Sequence, residues 1–548
     1  MSFLKSQRNI LFNLALLLFL LCAGGIISNY LGFDYDWDTR DYHLYNPYAF
    51  LNGRIGFDIM PASIMSYYNP LLDMFFYLVT IHLNDYPNLA AFILGLSYGL
   101  LLYMVFKISE IVFNMHPFSK LLSFLTMFLC STSLCLLVIV GRPSHDIFEA
   151  FLILLSLWLL LYNWEKKGNC VPIILSGIVM GAVVGFKYIY APAAIGAFLA
   201  LCFYRKLFKN PYKDLLIFSL SGACGFLIVN GFWMLELYQT FGNPIMPHFS
   251  EIFKNEWINS AIKIQNEDAN YCSHIKNSRL WILLTNHLKD DRYLLVYIVF
   301  VLNLFIWKKG NNDEMKKQCG INAEYGNFLL LFSIFFIIFI FKMAIIFRYM
   351  LPVIALSGIL VVVFIHKFLW VVHLRKHLYR NAFILILCIF SVAVLHYDKD
   401  GYKRKMRRYP IREKVFIAQD ANIPDNAIVM VVPTSGIVVP YQNPKARYVY
   451  FPEYRWIKVN VQIFSDEGYK KLRSYINAQK DNTYLLSDIS LTEDLTKRKV
   501  VAEVIEHQKL SKEELIKNYG VSPDVSNDCT EIKTNRTPYY LCKLEITD

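Results

Sequence analysis

Apolar runs close to 20 residues long recur along the first 395 residues and are separated by short polar loops. A membrane-spanning helix needs about 20 such residues, because the hydrocarbon core of a bilayer is about 30 Å thick. The pattern therefore predicts an α-helical polytopic membrane protein with about eleven transmembrane helices. The predicted spans cover residues 10–31, 88–112, 121–140, 147–163, 171–186, 189–204, 215–238, 293–307, 328–346, 349–365 and 382–395.

One apolar run, residues 70–83, has only 14 residues and is too short to span. We interpret it as a juxtamembrane helix, interfacial or re-entrant, on the outer face. With this choice every strongly basic short loop falls on one side, as the positive-inside rule requires. Lys5 and Arg8 precede the first span and place the N-terminus in the cytoplasm, so the first loop, residues 32–87, is predicted to be outside.

The hydrophobic pattern changes after residue 396. Short apolar stretches at 427–433, 446–452 and 482–488 predict buried strands, and residues 529–546 predict two strands around a polar turn. Residues 465–479 and 511–520 predict helices. The sequence thus predicts a helical transmembrane domain over residues 1–397 and a small α/β domain over residues 398–548. An odd number of spans makes that second domain extracytoplasmic.

Composition agrees with this division. Of the 548 residues, 55% are hydrophobic and only 18% are charged, which excludes an ordinary soluble protein. The formal charge of +12 is concentrated in short loops between spans, so it predicts contact with membrane lipids and not with nucleic acid. Cys529 and Cys542 lie near the ends of two predicted strands of the extracytoplasmic domain. A hairpin would bring them opposite each other, so we predict a disulfide there.

The first loop carries the densest chemistry. Asp34, Asp36, Asp38, Asp41 and His43 lie within ten residues, three Tyr and Trp residues are interleaved with them, and two more tyrosines follow. A carboxylate can take a proton from a sugar hydroxyl, and aromatic faces can stack on sugar rings. The alternative is a solvated loop with an aromatic belt at the membrane interface.

A second set of candidates lies on the same predicted outer surface. Cations at helix ends can hold a phosphate, and the planar fork of Arg matches phosphate oxygens. Simpler roles stay open, since Asp146 can cap the helix that follows it, and Lys187 and Arg348 can reach lipid headgroups. The candidate substrate-binding residues, with His43, are His145, Asp146, Lys187, Arg348 and Tyr349.

Residues 10–395 resemble the GT-C superfamily of integral membrane glycosyltransferases. The resemblance rests on the D-x-D of Asp36 and Asp38, on DYH at 41–43, on NPLLD at 69–73, on Asp146 opening a span, and on RYMLP at 348–352. It implies a polyprenyl-phosphate-linked sugar donor and a glycan or glycolipid acceptor on the outer face. It also implies that a carboxylate of the first loop is the catalytic base. That role carries over to Asp38 or Asp41, with Asp36 in support.

The resulting hypothesis is an inverting glycosyltransferase of the bacterial inner membrane that acts on the cell envelope, with lipopolysaccharide as one acceptor class. Arg348, helped by Lys187 or Lys342, would meet the charge on the departing phosphate. No cofactor is certain; the D-x-D is not evidence for a metal, and a divalent metal stays an open alternative. Two other functions stay open: a lipid-linked glycan flippase or transporter, and a non-catalytic glycan-assembly protein.

Overall fold

The computed structural model describes residues 2–166, 169–253, 255–258, 299, 301–303, 320–343, 346–371, 408–451, 464–488, 519–520, 529–544 and 546. The predicted span 382–395 lies outside these residues, as do most of span 293–307 and of helix 511–520. The chain divides into two compact units. Unit 1 is Met1–Phe33, Ala91–Asn230 and Tyr271–Arg408, and unit 2 is Asp34–Ala90, Gly231–Asn270 and Tyr409–Asp548. The domain boundary at residue 397 stays a prediction.

Helices dominate the described residues. Six of them are long and apolar enough to cross a membrane, and three further apolar helices are shorter. They indicate a multi-pass membrane protein, while the predicted count of about eleven spans is not confirmed. In chain order the helices are α1 (Ser2–Leu31), α2 (Trp37–Asp41), α3 (Tyr45–Leu51), α4 (Asp73–His82), α5 (Pro87–Val112), α6 (Ser119–Ser131), α7 (Leu134–Leu137), α8 (Asp146–Lys166), α9 (Val171–Phe186), α10 (Ala191–Phe203), α11 (Pro211–Phe241), α12 (Ala323–Met343), α13 (Leu351–Val371) and α14 (Asp466–Ala478).

The predicted span 121–140 is not one continuous helix, since α6 ends at Ser131 and α7 begins three residues later. The hydroxyls of Ser131 and Thr132 donate to the carbonyl oxygen of Phe128 at 2.9 and 3.2 Å. Such bonds compete with the helical ladder and favour an interruption. By contrast, the run 70–83 yields only the ten-residue helix α4, which agrees with its being too short to span. The side of the membrane on which α4 lies stays a prediction.

Within unit 1, α9 and α11 approach until their backbones touch. A Cβ added to Gly181 would lie 1.8 Å from the carbonyl oxygen of Gly222, and one added to Gly225 would lie 2.0 Å from that of Ile178. Helices in lipid associate through such small-residue contacts because no hydrophobic effect drives them together there. The glycines of this pair of helices therefore fix how closely α9 and α11 pack.

Gly181→Ala is expected to destabilise the folded protein by about 1–3 kcal/mol, because the added methyl group has no space. Gly222→Ala is the matched control, since its Cβ would meet its nearest atom, the carbonyl oxygen of Gly177, at an ordinary 3.6 Å. Thermal unfolding of the two purified variants in detergent compares them directly. Equal losses of stability would contradict a close approach at Gly181.

A five-stranded sheet with the order β4-β3-β5-β7-β6 lies in unit 2. Strand β3 is parallel to both β4 and β5, whereas β7 is antiparallel to β5 and to β6. The buried residues Leu472 and Ile476 of α14 pack into the same core as Met430 of β3. The predicted strands and the predicted helix 465–479 are confirmed. The strands are β1 (Phe33–Asp34), β2 (Arg408–Tyr409), β3 (Ile428–Val431), β4 (Arg447–Tyr450), β5 (Thr483–Ser487), β6 (Cys529–Ile532) and β7 (Tyr539–Lys543).

The first loop belongs to this sheet. The backbone N–H of Ile59 donates to the carbonyl oxygen of Tyr448 at 2.9 Å, and that of Tyr450 donates to Ile59 at 2.8 Å. Arg54 and Asp58 form a buried ion pair nearby, with N–O distances of 2.6 and 2.7 Å. Asp58 also accepts the backbone N–H of Tyr448 at 2.9 Å, so the pair ties the first loop to β4. The carboxylate of Asp58, a further acid of the first loop, is thus engaged in a structural contact.

The predicted disulfide is confirmed. Cys529 of β6 and Cys542 of β7 are direct cross-strand partners and form a disulfide with their Cα atoms 4.0 Å apart. The bond closes the two-stranded edge of the sheet of unit 2.

Candidate functional site

The acidic segment of the first loop folds into the five-residue helix α2 of unit 2, and its three acids have different surroundings. Asp36 is the N-cap residue, and its Oδ1 accepts from the backbone N and Oγ1 of Thr39 at 3.0 and 2.9 Å. Asp38 lies in the first turn and is half-buried. Asp41, the last residue of the helix, has no solvent exposure. Among these predicted catalytic acids, Asp36 therefore has a capping role already.

Asp41 is fixed by residues that follow strand β3. Its Oδ1 accepts the backbone N–H of Thr434 at 3.3 Å. Thr434 has a φ of 75°, a left-handed conformation that turns this backbone sharply after the strand. A Cβ on Gly436 would lie 2.1 Å from the carbonyl oxygen of Asp41, so only glycine fits there. The buried carboxylate of Asp41 thus holds the first loop against the turn after β3.

Arg40 joins the contacts between α2 and the residues that follow β3 and β5. It was not identified from the sequence. Its Nη1 donates to Oδ2 of Asp488 at 2.9 Å, and the hydroxyl of Thr434 donates to the same oxygen at 3.1 Å. Arg40 and Asp488 are 448 positions apart, so no spacing or periodicity in the sequence pairs them. Burial lowers the pKa of Arg40, but Tyr539 and Asp488 outweigh it and raise the pKa overall. The guanidinium therefore stays charged.

Two tyrosines extend the cluster. The hydroxyls of Tyr35 and Tyr539 lie 2.9 Å apart, and Tyr539 donates to the carbonyl oxygen of Thr434 at 3.1 Å. Burial, reinforced by Tyr35, raises the pKa of Tyr539 well above its usual value, so the phenol remains protonated. Its hydrogen bond helps to fix the left-handed residue after β3.

His43, predicted to bind substrate, is completely buried. Its Nδ1 lies 2.8 Å from Oδ1 of Asp73, and its ring centroid lies 4.2 Å from that of Tyr42. A carboxylate on one ring nitrogen fixes the orientation of an imidazole. Asp73, which the sequence analysis noted only as part of NPLLD, thus orients His43, and contact of His43 with substrate stays a prediction.

The second candidate set lies in unit 1 and forms a compact charged cluster. Nζ of Lys187 lies 3.2 Å from Oδ1 of Asp146 and 3.3 Å from Oε2 of Glu149. Nε of Arg348 lies 3.7 Å from Oδ2 of Asp146, and the hydroxyl of Tyr190 lies 3.4 Å from its Oδ1. The structure therefore brings together the side chains of Asp146, Lys187 and Arg348. Glu149 was missed, although it lies one helical turn after Asp146 and on the same face of α8.

The other two predicted residues of this set border the cluster. The guanidinium carbon of Arg348 lies 5.3 Å from the ring centroid of Tyr349, a cation–π distance. Tyr349 in turn packs edge-on against Tyr190, with the ring centroids 5.9 Å apart. His145 directly precedes α8 and has a left-handed φ of 57°. Lys342, the alternative helper, lies exposed in the last turn of α12.

Within the described ranges, no group of three or more His, Cys, Asp or Glu side chains is arranged to hold a metal ion. Asp36 and Asp41 instead accept backbone N–H groups of Thr39 and Thr434, and Asp146 and Glu149 contact Lys187.

No protein-family model and no curated protein matches this chain. Among solved structures, the chain is similar to the oligosaccharyltransferase of Archaeoglobus fulgidus, determined as a complex with zinc and sulfate. The sequence identity is 14% and the TM-score is 0.44, and the match covers 86% of this chain and 68% of that one.

Proposed function

We propose that this chain is a membrane glycosyltransferase that moves a sugar from a polyprenyl-phosphate carrier to a cell-envelope glycan or lipid acceptor. The observation that carries the proposal is the presentation of Asp38. It is half-buried on a short helix whose N-terminus is capped by Asp36 and whose last residue, Asp41, is held by a backbone N–H. A partly exposed carboxylate on a helix that is held at both ends suits a general base.

The difference in exposure between the two candidate acids supports Asp38 as the base. Asp41 has no solvent exposure, so a substrate hydroxyl can reach its carboxylate only if the surrounding residues move. Asp38 takes the proton of the acceptor hydroxyl while the hydroxyl oxygen forms a bond to the anomeric carbon of the donor sugar. The bond from that carbon to the phosphate oxygen breaks on the opposite face, which inverts the configuration.

The charged cluster of unit 1 is proposed to bind the donor phosphate. Lys187 contacts the carboxylates of Asp146 and Glu149, and Arg348 approaches Asp146 at 3.7 Å. Arg348 is the stronger candidate to meet phosphate oxygens, because its planar guanidinium can donate two parallel hydrogen bonds to a phosphate and the Lys187 ammonium cannot. Asp146 and Glu149 keep the cations in place before the donor arrives, which limits reorganisation during the reaction.

An in-vitro assay with purified protein, a polyprenyl-phosphate sugar and envelope glycan tests this function. Mass spectrometry should detect the acceptor with one added sugar, and the released polyprenyl phosphate in equal amount. Movement of the intact lipid-linked sugar across vesicles without transfer would support a flippase instead and would overturn the proposal.

Arg348→Ala is expected to raise the donor KM by on the order of 10-fold or more, with a much smaller effect on the acceptor KM, because a charge-assisted contact to phosphate is lost. Arg348→Lys should recover only part of the affinity, since Lys cannot bind phosphate through two parallel bonds. Lys206→Ala is the control, since Lys206 is an exposed cation of the same unit and has no proposed role in donor binding. Separate donor and acceptor titrations make the comparison, and an unchanged donor KM in Arg348→Ala would remove this residue from the donor site.

A further inference from the structure

The parallel strands β3 and β5 are hydrogen-bonded neighbours in the sheet of unit 2, so their carboxyl ends lie at the same edge of it. Neighbouring strands lie on opposite sides of this pair, with β4 beside β3 and β7 beside β5. The chain leaves β3 towards β4 and leaves β5 towards the other edge, so the two strands flank a topological switch point. In open α/β sheets this is the position where ligands usually bind. Here it is approached by residues of the first loop.

The groups at this switch point contact two consecutive residues of α2. Asp488, which directly follows β5, accepts from Nη1 of Arg40 at 2.9 Å and from the hydroxyl of Thr434 at 3.1 Å. The backbone N–H of Thr434 donates to Asp41 at 3.3 Å. The side chains of Arg40 and Asp488 are 23% and 12% exposed, so water screens their attraction only in part. The sheet thus contacts the C-terminal end of α2 through both a charge pair and a backbone bond.

A helix of five residues cannot hold its own orientation. Isolated helices shorter than about 12 residues are marginal in water, because the nucleation cost is not recovered. The Asp36 cap fixes the first turn of α2, but it does not fix the direction in which the helix axis points. That direction comes from tertiary contacts at the other end, which Asp488 and Thr434 supply.

We infer that Asp488 and Thr434 are positioning residues that orient α2, and with it Asp38, for proton abstraction. In this proposal the C-terminal sheet orients the acidic helix α2, so it takes part in catalysis and is not a separate binding domain. The inference rests on the proposed function in one respect only, the role of Asp38 as base. The contact that it describes, between the sheet and α2, is independent of the reaction.

The test compares Asp488→Asn and Asp488→Glu in the full-length protein, with Asp425→Asn as matched control. Asp425 forms an exposed ion pair with Lys445 at 2.7 Å in the same unit, away from α2 in the sequence. Asp488→Asn is expected to lower kcat by on the order of 10- to 100-fold, with both KM values within about twofold, because the base is misplaced while binding persists. Asp488→Glu should retain more of the kcat. Hydrogen–deuterium exchange at residues 37–43 should rise in Asp488→Asn and stay unchanged in the control.

The two readouts separate the possible failures. Unchanged exchange in α2 of Asp488→Asn, or raised exchange with full kcat, would each overturn the positioning role. If the unmodified protein transfers no sugar, the proposed function is wrong, and exchange alone then decides whether Asp488 orients α2. If Asp488→Asn does not fold, Arg40→Lys replaces it, because that change keeps the charge and removes only the guanidinium fork.

Discussion

Replacing Asp38 by Asn is expected to lower kcat by about 10²–10⁴-fold, the range that a general base contributes. The amide has the same shape as the carboxylate but cannot take the proton of the acceptor hydroxyl. The fold should be unaffected, because Asp38 is half-buried and the helix cap is supplied by Asp36. Turnover with saturating donor and acceptor gives the measurement, and Asp85→Asn, at an exposed acid of the same loop, is the control.

Asp41→Asn separates the two candidate bases. The side-chain carbonyl of Asn can still accept the N–H of Thr434, so α2 should stay in place. If Asp38 is the base, Asp41→Asn retains much more activity than Asp38→Asn. The reverse order would assign the base to Asp41, and near-normal turnover of both variants would exclude the acidic loop as the catalytic centre.

Arg54→Met is expected to destabilise the protein by about 3–5 kcal/mol, because it leaves the carboxylate of Asp58 buried without its cation. The pair is almost inaccessible, with side-chain exposures of 4% and 1%. Arg54 also donates to the carbonyl oxygen of Ala446 at 2.8 Å, so the change removes a second tie to β4. Thermal unfolding of the purified protein in detergent measures the loss.

Lys445→Met is the control for this change, since it breaks an exposed ion pair of the same unit and should leave the unfolding temperature unaltered. Asp58→Asn added to Arg54→Met should recover part of the stability by removing the uncompensated charge. Similar unfolding temperatures for Arg54→Met and Lys445→Met would show that the buried pair does not hold the first loop.

Local patterns were sufficient to predict the strands of unit 2, helix 465–479 and the disulfide between Cys529 and Cys542. Those features depend on alternation, capping residues and a turn of a few residues, all of which a sequence displays. The interruption between α6 and α7 was not predicted. It depends on whether Ser131 and Thr132 bond to the preceding carbonyl, a choice that hydropathy does not register.

The acidic residues of the first loop were identified from the sequence, but the different surroundings of their side chains were not predicted. The sequence places Asp36, Asp38 and Asp41 within six positions and gives no reason to rank them. Thr434, which contacts Asp41, and Asp488, which contacts Arg40, follow different strands and lie more than 390 positions away. Contacts at that separation arise from tertiary folding alone, so no window of the sequence contains them.

Arg54 and its hydrogen-bond partner Ala446 are 392 positions apart in the chain. This separation sets the time between the synthesis of the two residues. Ribosomes add about 5–20 residues per second, so the first loop waits roughly 20–80 s after its synthesis before β4 exists. During that interval Arg54 and Asp58 can form their ion pair, but the backbone groups of residues 446 and 448 that they contact have not been synthesised. The interval between the synthesis of Arg40 and that of its partner Asp488 is longer, because the two residues are 448 positions apart. A chain that ended between residues 434 and 488 would therefore keep the contact of Thr434 with Asp41 and lack the carboxylate that pairs with Arg40.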